Sequence, residues 1–376
     1  MIGMKKLLIC ASRVSHILNF HLPYIEYFKK RGFQVDIAVQ GMTEYPLIDN
    51  CYDVRFTKNP LSPDNLHTVK LLKKLMSENE YDIVYSNSTL AGASARLAVR
   101  NLKKKPYFVH ISHGYMFGEK SGLKSKIYLF AERFSRNVTD GLVVMNREDL
   151  SLAEKYKLGK EIYHTYGMGL VGENFPEISG EERHEMRKNA GISDNEKILF
   201  CVGEFSERKN QATVIQAFSM LLPKHRNIKL VFAGDGKTLE MCRQLVHSLE
   251  LDTHIRFLGH VDKIAPLYRC SDILVTASKM EGLPFNVMES LYCGVPVVAT
   301  NIKGHSDLIE NGINGFLTDM SAEDICAKLD FILSDENLYD SLRSNTFLDE
   351  KYLIENVRPK LLKILDKEYT EEIFIS

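Results

Sequence analysis

The sequence predicts an α/β protein with two similar domains, each built on a parallel sheet that helices cover. Two observations support this fold class. Short apolar runs rich in β-branched residues alternate with amphipathic helical patterns along the whole chain, which is typical of strands buried between layers of helices. The chain has 376 residues, and a single hydrophobic core usually stops growing before that length.

The elements of the first half follow from this alternation. Strands buried on both faces form continuous apolar runs, whereas helices repeat their apolar residues every three or four positions. We predict strands at residues 6–11, 34–39, 82–86, 107–111 and 141–145. Helices are predicted between them, including residues 22–31 and 66–78.

The same pattern fills the second half. Strands are predicted at residues 198–202, 229–233, 254–258, 273–276 and 295–299, and helices at 211–222 and 237–249. Positions 168–195 are rich in Gly, Glu and Asn, so we interpret them as the linker. The predicted domains are therefore residues 1–170 and 171–354, with residues 355–376, which include a helix at 355–369, packing back on the first. The two similar α/β halves are expected to face each other across a cleft, where ligands commonly bind.

Composition excludes several function classes. The 48 Lys and Arg against 49 Asp and Glu give a formal net charge of -1, so we predict no nucleic-acid partner. Seven scattered cysteines, mostly within apolar runs, indicate reduced thiols and a cytoplasmic protein. The apolar run at residues 7–11 is too short for a signal peptide, and no stretch approaches the roughly 20 apolar residues of a membrane span.

The strongest motif runs from Glu281 to Glu289, directly after a predicted strand. Its Gly-Leu-Pro turn leads into a helix that starts at Phe285 or Asn286, and the free N–H groups and positive end of such a helix favour a phosphate. Glu289 lies about one turn inside, where its carboxylate can accept hydrogen bonds from ribose hydroxyls. Glu281 can hold sugar hydroxyls. The alternative is an ordinary helix cap with a surface glutamate.

Two further loops follow predicted strands. After Gly203, Arg208 and Lys209 stand between a strand and a helix, where they can neutralise a departing diphosphate. Gly234, in a Gly-Asp-Gly turn, permits close approach of the backbone to a ligand. Each loop alone also fits a solvent-exposed turn.

Other ligand motifs are missing from the sequence. There is no Gly-x-Gly-x-x-Gly after a strand and no phosphate loop with Gly-Lys-Ser/Thr. No His or Cys cluster has metal-ligand spacing, and no Asp-x-Asp pair stands in a loop. We therefore predict that no metal and no cofactor is required.

In the first half, the strand at 107–111 leads into His113 and Gly114. A histidine at the carboxyl end of a parallel strand can meet a sugar hydroxyl in the cleft, although a capped core histidine would give the same sequence. His16, near the end of the first strand, is equally ambiguous. Between Lys120 and Arg136, basic residues alternate with large apolar ones, as in a segment that contacts an anionic membrane or in an ordinary helix with one buried face.

These motifs resemble the retaining glycosyltransferases of family 4, which have the GT-B fold of two Rossmann-like domains. The resemblance covers nearly the whole chain and is most specific at the two glutamates separated by seven residues. It implies that Glu281 contacts the donor sugar, Glu289 the ribose and Lys209 the diphosphate, and that His113 lies near the reacting sugar. From these motifs and the resemblance together, we predict donor binding by Gly203, Arg208, Lys209, Gly234, Gly282, Leu283, Pro284, Phe285, Asn286 and Glu289, with His16 and Gly114 on the acceptor side. Arg208 substitutes for the arginine that many relatives have at position 204.

Several stretches look more narrowly like bacterial capsular and exopolysaccharide transferases, which act on polyprenyl-diphosphate-linked acceptors at the inner membrane face. The resemblance implies transfer of a hexosyl residue from a UDP-sugar with retention, and no conventional base. The chain departs from the family at Glu204, where many relatives have Arg, and at residues 11–15, where a Gly-Gly turn is common. A non-catalytic nucleotide-sugar-binding partner and a GT-B epimerase stay open as alternatives.

Overall fold

A computed structural model describes residues 4–57, 63–118, 122–189 and 191–370 of the chain. The chain divides into two compact units. Unit 1 comprises Met1–Gly169 and Ile354–Ser376, and unit 2 comprises Leu170–Leu353. The predicted boundaries, after residues 170 and 354, lie one residue from these.

Unit 1 is built on a seven-stranded parallel sheet. Its strands are β1 (Lys6–Cys10), β2 (Gln34–Val39), β3 (Asn50–Asp53), β4 (Ile83–Asn87), β5 (Tyr107–Ser112), β6 (Gly141–Val144) and β7 (Glu161–His164). Their spatial order is β3-β2-β1-β4-β5-β6-β7. The helices are α1 (Val14–Phe20), α2 (Leu22–Lys30), α3 (Pro63–Asn79), α4 (Thr89–Arg100), α5 (Leu123–Ser135) and α6 (Arg147–Tyr156).

Unit 2 repeats this plan with a six-stranded parallel sheet. Its strands are β8 (Lys197–Val202), β9 (Ile228–Ala233), β10 (Ile255–Phe257), β11 (Ile273–Thr276), β12 (Val297–Thr300) and β13 (Gly315–Thr318). Their spatial order is β10-β9-β8-β11-β12-β13. The helices are α7 (Gly180–Asn189), α8 (Gln211–Leu221), α9 (Leu239–Ser248), α10 (Ala265–Cys270), α11 (Phe285–Tyr292), α12 (His305–Leu308), α13 (Ala322–Ser334) and α14 (Glu336–Asn345).

The chain returns to unit 1 through the last helix, α15 (Ile354–Leu365). The two crossing points between the units are adjacent in space. Leu170 forms a parallel bridge with Leu353 in unit 2, and in unit 1 a Cβ added to Gly169 would lie 2.6 Å from Cα of Ile354. The predicted return of the C-terminal segment to the first unit is therefore present, and its helix ends four residues earlier than predicted.

The order of the strands determines where ligands can bind. In each sheet the chain winds outward in one direction and then starts again on the other side of its first strand. These switch points lie between β1 and β4 in unit 1 and between β8 and β11 in unit 2. At a switch point the loops after the two strands lead to opposite faces of the sheet, and the crevice between them is the usual ligand site.

The predicted linker at residues 168–195 contains the chain crossing, at Gly169 and Leu170, but it is too long, because the rest of the stretch belongs to unit 2 and includes α7. Helix α7 is polar on nearly all sides, so its sequence lacks an apolar stripe. Its position depends instead on the buried guanidinium of Arg187, which donates to the carbonyl oxygens of Cys270 (3.0 Å) and Ser193 (2.9 Å).

Candidate active site

The switch point of unit 2 brings together Arg208, Lys209 and Glu281. The loop after β8 carries the two cations, and the loop after β11 carries the carboxylate. Nη1 of Arg208 lies 2.7 Å from Oε2 of Glu281, and Nζ of Lys209 lies 2.9 Å from Oε1. Both residues that the sequence assigns to a diphosphate are thus paired with the residue that it assigns to the sugar.

The environment of Glu281 keeps it ionised. Burial alone would raise the pKa of this carboxyl, but the charges of Lys209 and Arg208 outweigh burial and lower the pKa to about 2. Although Lys209 is close, Oε1 of Glu281 has no hydrogen bond of good geometry. This oxygen is buried, so its ion pair with Lys209 is shielded from solvent.

The second glutamate of the motif lies on α11, which starts at Phe285 directly after Pro284, as predicted. The hydroxyl of Tyr268, on α10, donates to Oε2 of Glu289 at 2.6 Å. Burial raises the pKa of Glu289, while the hydrogen bond from Tyr268 and the charge of Lys209 oppose that rise. Tyr268 is buried and fixes the carboxylate in one orientation. The role of Tyr268 depends on a tertiary contact, so no local sequence pattern indicates it.

Two glycines let the neighbouring strands β8 and β9 end close together. Gly203 and Gly234 have φ angles of +143° and +135°, and a Cβ on Gly234 would lie 2.2 Å from the carbonyl oxygen of Gly203. The side chain of Lys209 passes over Gly203, where an added Cβ would be 3.1 Å from Cε. The side chain of Glu204 is exposed. Glycine is therefore required at positions 203 and 234, where the two strand ends pack together beneath the side chain of Lys209.

The remaining predicted residues of this run lie between β11 and the first turn of α11. Gly282, Leu283 and Pro284 are buried, and Phe285 is half-buried. The side-chain amide of Asn286 donates to the carbonyl oxygen of Val202 (3.3 Å), and its own oxygen has no partner among the described residues.

The loop after β12 completes this site with Gly304 and His305, which the sequence analysis missed. Gly304 has a φ of +81°, and a Cβ there would lie 2.5 Å from the carbonyl oxygen of Gly282. His305 is fully buried and hydrogen-bonds through Nδ1 to the carbonyl oxygen of Thr300 (2.7 Å). Burial lowers the pKa of His305 to about 4. A Gly-His pair in the loop after a predicted strand was the available signal, since His113 and Gly114 were selected in that way.

The switch point of unit 1 collects histidines. The rings of His16, on α1, and His113, after β5, meet edge to face with centroids 4.8 Å apart. Nε2 of His113 lies 3.3 Å from Oδ1 of the buried Asn87 at the end of β4. Gly114 follows with a φ of +122°. Burial lowers the pKa of His16 to about 4 and the pKa of His113 well below its ordinary value, so both imidazoles are neutral at pH 7.

Comparison with known proteins decides the family. The model named Glycosyl transferases group 1 matches residues 182–348, and the model named Glycosyl transferase 4-like matches residues 7–140. EpsD of Bacillus subtilis strain 168, a protein named for glycosyl transfer, is 33% identical over 316 residues, which are 83% of each chain. The chain belongs to the family 4 glycosyltransferases. It is accordingly a hexosyltransferase, as predicted.

Two further comparisons concern a sequence relative and a solved structure. The E. coli UDP-Gal:alpha-D-GlcNAc-diphosphoundecaprenol alpha-1,3-galactosyltransferase is 28% identical over 305 residues, 77% of each chain. The crystal structure of Anabaena HepE in complex with UDP covers 96% of this chain and 99% of its own, with 18% identity and a TM-score of 0.76. The second similarity concerns the fold and confirms the predicted GT-B class. The roles of the individual site residues stay predictions.

Helix α5 of this glycosyltransferase has a buried anchor and an apolar outer face. Residues 119–121 of the predicted basic stretch, including Lys120, lie outside the described residues. On the inner face, Glu132 forms a two-pronged ion pair with Arg96 of α4. On the outer face, four side chains at helical spacing are between 43% and 77% exposed: Leu123, Ile127, Phe130 and Phe134. Lys126, Arg133 and Arg136 are exposed around them.

Neither a metal-binding cluster nor a membrane-spanning helix is present among the described residues. Within them, no group of three or more His, Cys, Asp or Glu side chains has an arrangement that could hold a metal ion. In the same part of the chain, none of the helices has both the length and the apolar character needed to cross a bilayer.

Proposed function

We propose that this glycosyltransferase moves a hexosyl residue from a UDP-sugar to a polyprenyl-diphosphate-linked glycan, with retention of anomeric configuration, during surface polysaccharide synthesis. The observation that carries the proposal is the cluster of Glu281, Arg208 and Lys209 at the switch point of unit 2. Two cations and an ionised carboxylate beside the start of α11 suit a ligand that combines a diphosphate with sugar hydroxyls.

Donor binding follows from this cluster. Glu281 offsets one of the two positive charges of Arg208 and Lys209, so the cluster keeps a net positive charge that attracts a diphosphate. The backbone N–H groups at the start of α11 add donors for the phosphate oxygens. Glu289, oriented by Tyr268, accepts hydrogen bonds from the ribose hydroxyls, and Glu281 accepts them from the sugar.

The proposed reaction breaks the bond between the anomeric carbon and the diphosphate oxygen and forms a bond from that carbon to the acceptor oxygen on the same face. The acceptor's hydroxyl proton passes to the departing diphosphate, so no side chain is needed as the base. Arg208 and Lys209 stabilise the negative charge that develops on the leaving group. Because these side chains supply the positive charge, our proposal includes no metal ion and no cofactor.

The acceptor is assigned to unit 1 and to the membrane surface. The similar E. coli enzyme is named for a diphosphoundecaprenol acceptor, and an acceptor of that kind lies at a bilayer. In α5, four exposed apolar side chains surrounded by basic residues suit the headgroup region of an anionic membrane. The proposal therefore places the enzyme peripherally at the inner face of the cell membrane, with α5 as its contact.

The reaction is tested by incubating the purified enzyme with a panel of UDP-sugars and a polyprenyl-diphosphate-linked acceptor, then determining the anomeric configuration of the product by NMR. Transfer with retention is expected for one donor. Lys209→Ala should lower kcat at least a hundredfold, in the range found when one transition-state donor is lost. Lys188→Ala, on the exposed face of α7, is the matched control and should behave as wild type. An inverted product would refute the mechanism.

Membrane contact is tested separately by vesicle flotation. Wild-type enzyme should float with vesicles that contain anionic lipid and stay behind with neutral ones. Phe130→Glu should abolish flotation because it places a charge on the apolar face of α5. Leu66→Glu is the control, since Leu66 is also exposed (68%) but lies on α3. Equal flotation of both variants would refute this contact.

A further inference from the structure

A row of three side chains leads from the core of unit 1 to its switch point. Tyr85 and His21 are fully buried, whereas His16 is partly exposed. The hydroxyl of Tyr85 lies 3.4 Å from Nδ1 of His21, and Nε2 of His21 lies 3.2 Å from Nδ1 of His16. The row connects β4, the start of α2 and α1. The proposed reaction gives no role to any of these three side chains.

The donor and acceptor of each hydrogen bond in this row can be assigned by starting at the buried hydroxyl of Tyr85. Burial raises the pKa of Tyr85 well above its ordinary value, so the phenol keeps its proton. Among the described residues, His21 is the one hydrogen-bond partner of this hydroxyl. A buried donor without an acceptor is costly. Tyr85 therefore donates to Nδ1 of His21.

The tautomers of both histidines follow. Burial lowers the pKa of His21, and the neighbouring His16 and His113 lower it further, so its ring is neutral. Because Nδ1 of His21 accepts, its single proton is on Nε2 and is donated to Nδ1 of His16. The neutral ring of His16 must then carry its own proton on Nε2. The opposite direction would leave the buried hydroxyl proton of Tyr85 without an acceptor.

The outer nitrogen of His16 is available to a ligand. Nε2 of His16 makes no hydrogen bond within the described part of the chain, and it is absent from the buried atoms without a partner, so solvent reaches it. It lies at the switch point, next to the ring of His113. A neutral imidazole that carries its proton on this atom is a hydrogen-bond donor and cannot act there as a base.

We propose that His21 and Tyr85 are positioning residues that hold His16 in one orientation and one tautomer, as a neutral N–H donor to an oxygen atom of the acceptor substrate. The inference rests on the proposed function, because that function places the acceptor in unit 1. It assigns His16 to binding and orientation of the acceptor, and it agrees with a reaction in which the departing diphosphate takes the acceptor's proton.

The tautomer is tested first, by NMR of the full-length enzyme labelled with ¹⁵N-histidine, with His16 signals assigned by comparison with His16→Phe. Nε2 of His16 is expected to show the shift of a protonated nitrogen and Nδ1 that of an unprotonated one, with no titration between pH 6 and 8. A proton on Nδ1 would overturn the inference. This measurement needs no substrate, so it is independent of whether the proposed transfer is found.

The functional arm uses transfer to the acceptor. His16→Gln keeps an amide donor near the position of Nε2 and should stay within about threefold of the wild-type kcat/KM for acceptor. His16→Asn places its amide near Nδ1 and should lose at least tenfold, the size expected of one hydrogen bond. Equal losses would overturn a donor role. UDP-induced thermal stabilisation should be unchanged in both variants; if wild type shows none, the proposed donor site fails instead.

A double-mutant cycle tests whether His21 acts through His16. His21→Phe should lower the acceptor kcat/KM about tenfold, and the double variant with His16→Phe should be no worse than His16→Phe alone. Losses that multiply would show an independent, merely structural role and overturn the positioning role. Where His21→Phe fails to fold, His21→Gln gives a separate test. Its amide can still donate to Nδ1 of His16, so it should keep most of the activity, and a tenfold loss would overturn the positioning role.

Discussion

Removing Glu132 should destabilise unit 1 by about 3–5 kcal/mol, because it leaves the charge of Arg96 buried without a partner. The guanidinium nitrogens of Arg96 lie 2.6 and 2.8 Å from the two carboxylate oxygens. Side-chain exposure is 1% for Arg96 and 7% for Glu132, so solvent cannot replace the lost partner. Burial by itself would raise the pKa of Glu132, yet the charge of Arg96 lowers it, which shows that the pair is ionised.

The magnitude is checked by urea unfolding of Glu132→Ala, Arg96→Ala and the double variant, with intrinsic fluorescence and circular dichroism as two probes. Each single variant should lose about 3–5 kcal/mol. The double variant should lose less than the sum of the two, because it leaves no uncompensated charge. Glu78→Ala, an exposed glutamate paired with Lys74 on α3, is the control and should change stability by less than about 1 kcal/mol.

The refuting result is a loss below about 1 kcal/mol in Glu132→Ala, or strictly additive losses in the double variant. Either outcome would mean that water reaches the guanidinium and that the pair behaves as a surface salt bridge. A related readout is vesicle flotation. Since Glu132 is the inner anchor of α5, its loss should weaken the proposed membrane contact although the exposed face itself is unchanged.

Three other predictions concern unit 2. Burial lowers the pKa of His305 to about 4, so as the pH falls below about 6.5 the unfolded chain takes up the proton of this histidine before the folded chain does. The folded protein should therefore lose about 2 kcal/mol of stability between pH 7 and pH 5. In His305→Phe the urea midpoint should depend less on pH over this range than in wild type, and an equal pH dependence would contradict the prediction. Gly234→Ala should abolish UDP-induced stabilisation, because the added Cβ would clash with the backbone of Gly203. The control Gly180→Ala has open space around its Cβ and should bind UDP normally. UDP binding by both variants would show that the backbone at Gly203 shifts to accommodate the Cβ. Tyr268→Phe removes a hydrogen bond that lowers the pKa of Glu289, so Glu289 should become protonated at a higher pH. As the pH falls, UDP binding, measured by thermal shift, should therefore be lost at a higher pH than in wild type, and superimposable pH profiles would exclude the contact.

The buried strands were predicted within two residues because both of their faces are covered and their sequences are continuously apolar. The strand Ile273–Thr276, for example, is buried at every position and was found with its observed ends. β3 (Asn50–Asp53) and β7 (Glu161–His164) were missed, since they are four-residue edge strands with few buried side chains. β13 is also short and at an edge. Local periodicity cannot distinguish such segments from loops.

The limits of prediction at the site have a different cause. Glu281 and Lys209 were selected because each follows a strand, and a strand's carboxyl end is visible in the sequence. Their contact with each other depends on β8 and β11 being neighbours in the sheet, which is a property of strand order. Tyr268 and His21 had no local signal at all, because their importance lies in which polar atom each one faces.

The adjacency of the two chain crossings, at Gly169–Leu170 and Leu353–Ile354, makes unit 2 a continuous cassette inserted at one point of unit 1. Both of its ends meet in a single β-bridge, so a homologous segment can replace residues 170–353 through two junctions that lie side by side, without a new linker. Recombination at this point would exchange the half to which we assign the donor while leaving α15 and the half proposed for the acceptor intact. Under the proposed function, sugar choice and acceptor choice would then change independently of each other.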